Sequence, residues 1–151
     1  MTLPGQTWLA FVRSDRAHAR IVGIDTAAAA ASPGVVKVYT GAELRAAGVQ
    51  PIGLPPGFKR PDGKVATAPA KQPLAVDVVR FVGEPVVAVV ADSREAARAA
   101  ATSVWIEYED LPVVASLAAA LAPGAPEVWP DAPGNVLAEA RYGDAAATEA
   151  A

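Results

Sequence analysis

The chain has 151 residues, with 13 Lys and Arg against 16 Asp and Glu, no cysteine and one histidine, His18. That length fits one compact domain, and a hydrophobic share of 52% excludes a disordered chain, although Ala and Val supply more of it than aromatics do. A net charge of −3 argues against nucleic acid as a partner, because a phosphate backbone needs clustered Lys and Arg; the missing thiols exclude disulfides, iron–sulfur ligation and thiolate zinc sites, and a lone histidine cannot build a His-rich metal centre.

The opening "MTLPGQTWLAFVRSD" lacks the basic segment and apolar run of a signal peptide, and no window approaches the roughly 18 apolar residues of a membrane span. No membrane partner and a cytoplasmic setting are expected. "WLAFVR" and "ARIVGID" are rich in bulky and β-branched residues and are separated by polar "SDRAH", which predicts two strands joined by a turn. An Ala run then follows Asp25, a good N-cap, and must stop at Pro33-Gly34, so a short helix is expected there. "VVKVYT" reads as a strand and "GAELRAAG" as a short helix closed by Gly48.

Residues 48–73 carry several prolines and glycines without helical or strand period, which predicts a long projecting loop. Its Lys59, Arg60, Lys64 and Lys71 read as a solvated basic surface, with an acidic partner as the lesser alternative. "VVAVVAD" is apolar without a break, as expected of a strand covered on both faces. Asp92 with Glu95 has the spacing of a capping box for the helix "REAARAAATS", in which Arg94, Glu95 and Arg98 face outward. "VWIEYE" alternates, placing Val104, Ile106 and Tyr108 on one face and Trp105, Glu107 and Glu109 on the other. Each strand–helix–strand run is a right-handed crossover if its strands are parallel neighbours. A short helix "SLAAALAPG" leads into a Pro- and Gly-rich passage with the look of a domain exit, and the end "AAATEAA" reads as cut, with too few residues after Asp144 for a stable helix.

Few residues carry candidate chemistry. Glu84, between Gly83 and Pro85 and just ahead of a buried strand, is a candidate acid or base if its carboxylate is desolvated. The preferred reading is structural: Gly83 supplies an unusual backbone angle, Pro85 holds Glu84 extended, and the carboxylate accepts backbone N–H bonds or meets a neighbouring domain. His18 has no ligand set around it, and Arg13, Arg16 and Arg20 read as ion-pair partners before they read as an anion site. Trp8, Trp105 and Trp129 are expected to be packing or interface anchors. No dinucleotide, Walker-type or nucleophile-elbow motif occurs. No catalytic, cofactor-binding or metal residue is therefore assigned in this chain.

Three ordered blocks, "AFVRSDRAHARIVGIDTAAAAASPGVVKVYTGAEL", "PLAVDVVRFVGEPVVAVVADSREAARAAATSVWIEYEDLPVV" and "APEVWPDAPGNV", resemble the N-terminal α/β hammerhead domain of the large subunit in the xanthine dehydrogenase, aldehyde oxidase and carbon monoxide dehydrogenase family. The resemblance implies an α+β fold with mixed or antiparallel strands and packed helices, a hammerhead domain over residues 1–135 and an exit linker over 136–151. It implies a parent oxidoreductase, a molybdenum hydroxylase or carbon monoxide dehydrogenase with a molybdenum–pterin cofactor, and with iron–sulfur clusters and FAD on other domains or subunits. Those domains and subunits are the implied partners. This segment is then a structural scaffold that is inactive alone, and Gly83, Glu84 and Pro85 match the family's Gly-Glu-Pro turn, carried over only as a structural and interdomain feature. Two alternatives stand beside it: a stand-alone binding or assembly module, and a small acid–base enzyme using Glu84.

Overall fold

The computed structural model describes residues 3–53, 59, 63–64, 69, 71–138 and 143–150. They fall into two units, one of residues 1–52 with 70–113 and one of 53–69 with 114–151.

The first unit holds two three-stranded sheets. In one, β5 (Pro85–Ala91) lies between β1 (Trp8–Arg13) and β3 (Val35–Thr40); in the other, β2 (Ala19–Asp25) lies between β4 (Val78–Val79) and β6 (Trp105–Asp110). Every pairing is antiparallel. The central position of β5 explains its unbroken apolar sequence, with Val86, Val87 and Val89 fully buried. Burying each is worth roughly 1.5–3 kcal/mol before chain entropy is counted. One core collects residues from both sheets, Val87, Val89 and Val38 from the first and Val79 and Ala19 from the second, with Ile21, Ile106 and Tyr108 packed against it. The fold is the α+β hammerhead arrangement, antiparallel sheets with packed helices.

Between the sheets' strands run α1 (Ala27–Ala30), α2 (Gly41–Ala46) and α3 (Arg94–Ala101). The two strand–helix–strand runs are not crossovers within one sheet: β2 and β3 belong to different sheets, as do β5 and β6. The reason is pairing capacity. Both sides of β5 are already taken by β1 and β3, so β6 finds its partner in β2, and the four residues of α1 are shorter than a parallel return requires. The first two strands likewise do not pair with one another.

Caps differ in detail from the sequence reading. The N-cap of α3 is Ser93, whose side chain accepts from Ala96 N, whereas Asp92 gives its N–H to Gly34 O at 2.9 Å. For α1 the cap position falls on Thr26, and Asp25 acts one residue outside it, accepting from Ala27 N at 2.9 Å. A reciprocal capping box does occur, at α2: Thr40 Oγ1 accepts from Glu43 N while Glu43 Oε2 accepts from Thr40 N at 2.8 Å. Those backbone and side-chain donors from Thr40 hold the Glu43 carboxyl below its ordinary range, against a smaller opposing effect of burial, with Lys37 adding attraction. Ala97 and Ala100 of α3 are buried and let it approach the β1-β5-β3 sheet. Arg94 lies over the Trp8 ring, 5.0 Å from its centre.

Of the long loop, an isolated bridge between Ile52 and Lys71 closes the stem, with Ile52 N donating to Lys71 O at 2.8 Å. Arg60 lies outside the described residues, and Lys71 sits 5.4 Å over the Phe81 ring.

The second unit contains α4 (Leu117–Leu121), capped by Ser116, a 3-10 turn at Pro133–Asn135 and α5 (Ala145–Glu149), where Asp144 Oδ1 accepts from Ala147 N. Asn135, at φ +58°, organises it: Nδ2 donates to the carbonyls of Ala120 and Pro126, both at 3.0 Å, and Oδ1 accepts from Val128 N at 2.9 Å. Asparagine tolerates that backbone angle and has the three hydrogen-bonding positions the loop uses.

Candidate functional site

The segment between β4 and β5 is a tight turn. Glu84 N donates to Phe81 O at 3.2 Å, and Gly83 sits at φ +90° in the third position, the geometry in which a side chain would be strained. Pro85 follows as the first residue of β5, a place where a missing N–H costs a strand nothing. The turn is then tied to the end of β1 across a register shift between Val12 and Arg13. Ser14 N donates to Glu84 O at 2.9 Å, Gly83 N donates to Ser14 O at 2.8 Å, and Arg13 Nη1 donates to Gly83 O at 2.8 Å.

Glu84 is turned inward. The residue is 5% exposed and Oε2 accepts the backbone N–H of Arg80, so the carboxylate closes the turn. The Arg80 guanidinium is half-buried and donates to Val78 O at 3.1 Å. Burial lowers its pKa, and the charges of Glu84 and Asp77 raise it back in part. What the turn shows to solvent is apolar, with Phe81 44% and Val82 64% exposed. These two residues were not singled out from sequence. The available signal was a pair of bulky apolar residues at turn positions, where polar ones are usual.

Beside this turn, Tyr108 directs its hydroxyl into the interior, where it has no hydrogen-bond partner among the described residues. Burial pushes its phenol up from the ordinary value of 10.0; the nearby Ser14 hydroxyl opposes this, but Ser14 Oγ is engaged at 3.0 Å with both N and O of Arg16. A buried polar group without a partner costs about 1–3 kcal/mol. Tyr108→Phe is therefore expected to raise stability by about 1 kcal/mol in urea unfolding at pH 7. The sign with pH follows: a raised folded-state pKa gives a contribution fully present below pH 10.0 and lost as pH rises through the folded value, because the unfolded chain ionises first. The Phe variant should lack that alkaline loss.

The remaining candidates have structural partners. His18 Nδ1 lies 2.7 Å from Pro112 O, which requires its proton on Nδ1, and Leu111 N donates to His18 O at 3.0 Å. Arg16 pairs with Asp15 at 3.4 Å and Asp110 at 3.7 Å, and Arg20 with Glu109 at 3.0 Å. Such exposed pairs contribute little stability, and they commit these arginines to carboxylates rather than to an anion site. Trp105 is 72% exposed, so it is no packing anchor within the described unit, while Trp8 is half-buried.

Among the described residues no group of three or more His, Cys, Asp or Glu is placed to hold a metal ion, and no helix is long and apolar enough to cross a membrane. The donor set does not fit a metal–sulfur group either, since the chain has no thiolate and its one imidazole is bonded to a carbonyl.

Residues 1–112 match the family described as aldehyde oxidase and xanthine dehydrogenase, a/b hammerhead domain. The chain is 45% identical over 114 residues to the nicotine 6-hydroxylase large subunit of Paenarthrobacter nicotinovorans, covering 76% of this chain and 13% of that protein. It is 40% identical over 147 residues to subunit gamma of the 6-hydroxypseudooxynicotine dehydrogenase complex from the same organism, covering 94% of this chain and 18% of that protein. Among solved structures, quinoline 2-oxidoreductase from Pseudomonas putida 86 superposes with a TM-score of 0.69 at 40% identity, over 80% of this chain and 15% of that one. The chain thus spans less than a fifth of the length of these relatives. With a family match over residues 1–112, relatives at 40–45% identity across most of the chain and a shared fold, the chain belongs to the α/β hammerhead domain family of aldehyde oxidases and xanthine dehydrogenases.

Proposed function

We propose that this chain is the hammerhead segment of a molybdenum hydroxylase large subunit and that it works as a scaffold. The observation that carries the reading is the family match over residues 1–112 in a chain that spans 13% of the nicotine 6-hydroxylase large subunit, combined with an inward-facing Glu84 and no metal-ligating cluster among the described residues. The chemistry of the parent, oxidation or hydroxylation of an aldehyde, purine, N-heterocycle or carbon monoxide in the cytoplasm, is assigned to the rest of that subunit. A molybdenum–pterin cofactor there would supply the two-electron oxidation, and iron–sulfur and FAD domains or subunits would carry the electrons away.

In this reading residues 1–135 form the hammerhead domain and 136–151 lead toward the cofactor-binding domains. Gly83, Glu84 and Pro85 form an interdomain turn. Glu84 and Pro85 fix its conformation, Gly83 permits it, and the exposed Phe81 and Val82 are the apolar surface it offers. No step of the oxidation is routed through this segment.

The test is to purify the natural gene product and the 151-residue chain side by side and measure bound molybdenum by mass spectrometry. The gene product is expected to hold about one molybdenum per large subunit, and the isolated chain none, with no turnover of purines or aldehydes. Stoichiometric molybdenum in the isolated chain would refute the scaffold assignment, and a gene product without molybdenum would remove the parent.

A further inference from the structure

The outer face of the β1-β5-β3 sheet differs from an ordinary wet sheet face. Alternation sends Leu9 and Phe11 outward from β1, and the register places Leu9, Val90 and Lys37 in one row and Phe11, Ala88 and Tyr39 in the next. The opposite face carries Val12, Val38, Val87 and Val89 into the core with α3 against it. The Phe11–Ala88–Tyr39 row carries no charge across all three strands, and the next row has its one charge, Lys37, at the β3 edge. By contrast, the outward face of the other sheet sets Arg20 opposite Glu109, Glu107 opposite Gly23 and Asp25 opposite Trp105, so charged residues run along its whole length.

We propose that this face, presented by Leu9, Phe11 and Tyr39 on the two outer strands over the half-buried Val90 and the buried Ala88 of β5, is the surface on which the rest of the same polypeptide docks. The inference rests on the scaffold reading above and names the face that reading uses. Leu9, Phe11 and Tyr39 are 55%, 42% and 36% exposed, together roughly 300 Å² of mostly apolar surface. A stable contact between separate chains needs roughly 800 Å² per partner; a covalently attached partner, held at high effective concentration, needs less. The relatives supply such a partner, since more than four-fifths of their length lies outside the part this chain matches.

Charge selects against a second copy. The outward cations at the two edges are Arg13, 5.4 Å over the Phe11 ring, and Lys37, 5.8 Å over the Tyr39 ring and 4.0 Å from Glu43. A two-fold pair of these faces would set cationic rims against each other, whereas a heterologous apolar surface edged with carboxylates satisfies them. Arg13 also binds Gly83 O, so the face is continuous with the turn that exposes Phe81 and Val82.

Hydroxyl-radical footprinting with mass spectrometry tests this without any substitution, comparing the 151-residue chain with the intact gene product. Labelling of Leu9, Phe11 and Tyr39 is expected to fall by about tenfold in the intact protein, as water leaves an interface core, while Trp105 labels equally in both. Equal labelling of the three residues in both proteins overturns the proposal, as does protection already present in the isolated chain that grows with its concentration, which assigns the face to a second copy. Molybdenum content of the same intact sample decides the scaffold reading separately: a molybdenum-loaded protein with the face still labelled sinks the docking surface alone, and a molybdenum-free protein with the face protected sinks the parent assignment alone.

Discussion

Replacing Glu84 by alanine is expected to destabilise the 151-residue chain by about 2–3 kcal/mol, read as a lower urea midpoint at pH 7. The carboxylate is almost entirely enclosed and accepts the N–H of Arg80, so its removal takes that hydrogen bond away from the turn and opens a void where a side chain stood. The half-buried Arg80 guanidinium loses its attraction to that carboxylate in the same step. Glu84→Gln separates the two effects. An amide oxygen still accepts from Arg80 N, so the cost should drop to about 1 kcal/mol, the share owed to charge. A neutral result for alanine would mean that the carboxylate does not hold the turn, and the structural role given to Gly83, Glu84 and Pro85 would fall with it.

The second large effect is expected at Gly41, the first residue of α2. A Cβ built there would stand 2.8 Å from Leu74 O and closer still to Ala75 O, both of them backbone atoms. Leu74 is 1% exposed and Ala75 N is bonded to Pro85 O at 2.8 Å, so neither neighbour can move away cheaply. Gly41→Ala should therefore cost about 3 kcal/mol, at the upper end for overpacking. Gly83 provides the internal comparison: its Cβ would meet nothing within 4 Å, so Gly83→Ala pays only for a positive φ, about 1–2 kcal/mol. Paired chemical denaturation of the two variants ranks them; Gly83→Ala falling below Gly41→Ala would contradict the crowding at α2.

Much of the fold was legible because its signals are local. The unbroken apolar run before Asp92 predicted a strand covered on both faces, and the alternation in "VWIEYE" predicted which of its residues face inward; Ile106 and Tyr108 pack on the core while Trp105 and Glu107 lie outside. The short Ala/Leu helix α4 was readable from its composition and the Gly48 stop from cap chemistry. The candidate turn was located from Gly83 and Pro85, since only a turn asks for those two residues around an acid. What made it a rigid element was not readable. Its ties run to Arg13 and Ser14, some seventy residues away in the chain, and no pattern in the sequence pairs them.

The sequence by itself determined most of the elements, β4 and the short α5 after Asp144 excepted, together with the inward face of β6 and the absence of thiolate or multi-histidine chemistry, because periodicity, caps and composition depend on neighbours in the chain. Only the tertiary structure decided which sheet each strand joins. With β1 and β3 occupying both sides of β5, the strand after α3 had to pair with β2. The same assembly chose Ser93 over Asp92 as the cap, because the Asp92 backbone is committed to Gly34 at the edge of β3. It also turned Glu84 inward, left Tyr108 Oη without a partner among the described residues and left Leu9, Phe11 and Tyr39 facing water. Each of these depends on contacts between residues far apart in sequence, where hydrogen-bond pairing and packing space, not local preference, fix the outcome.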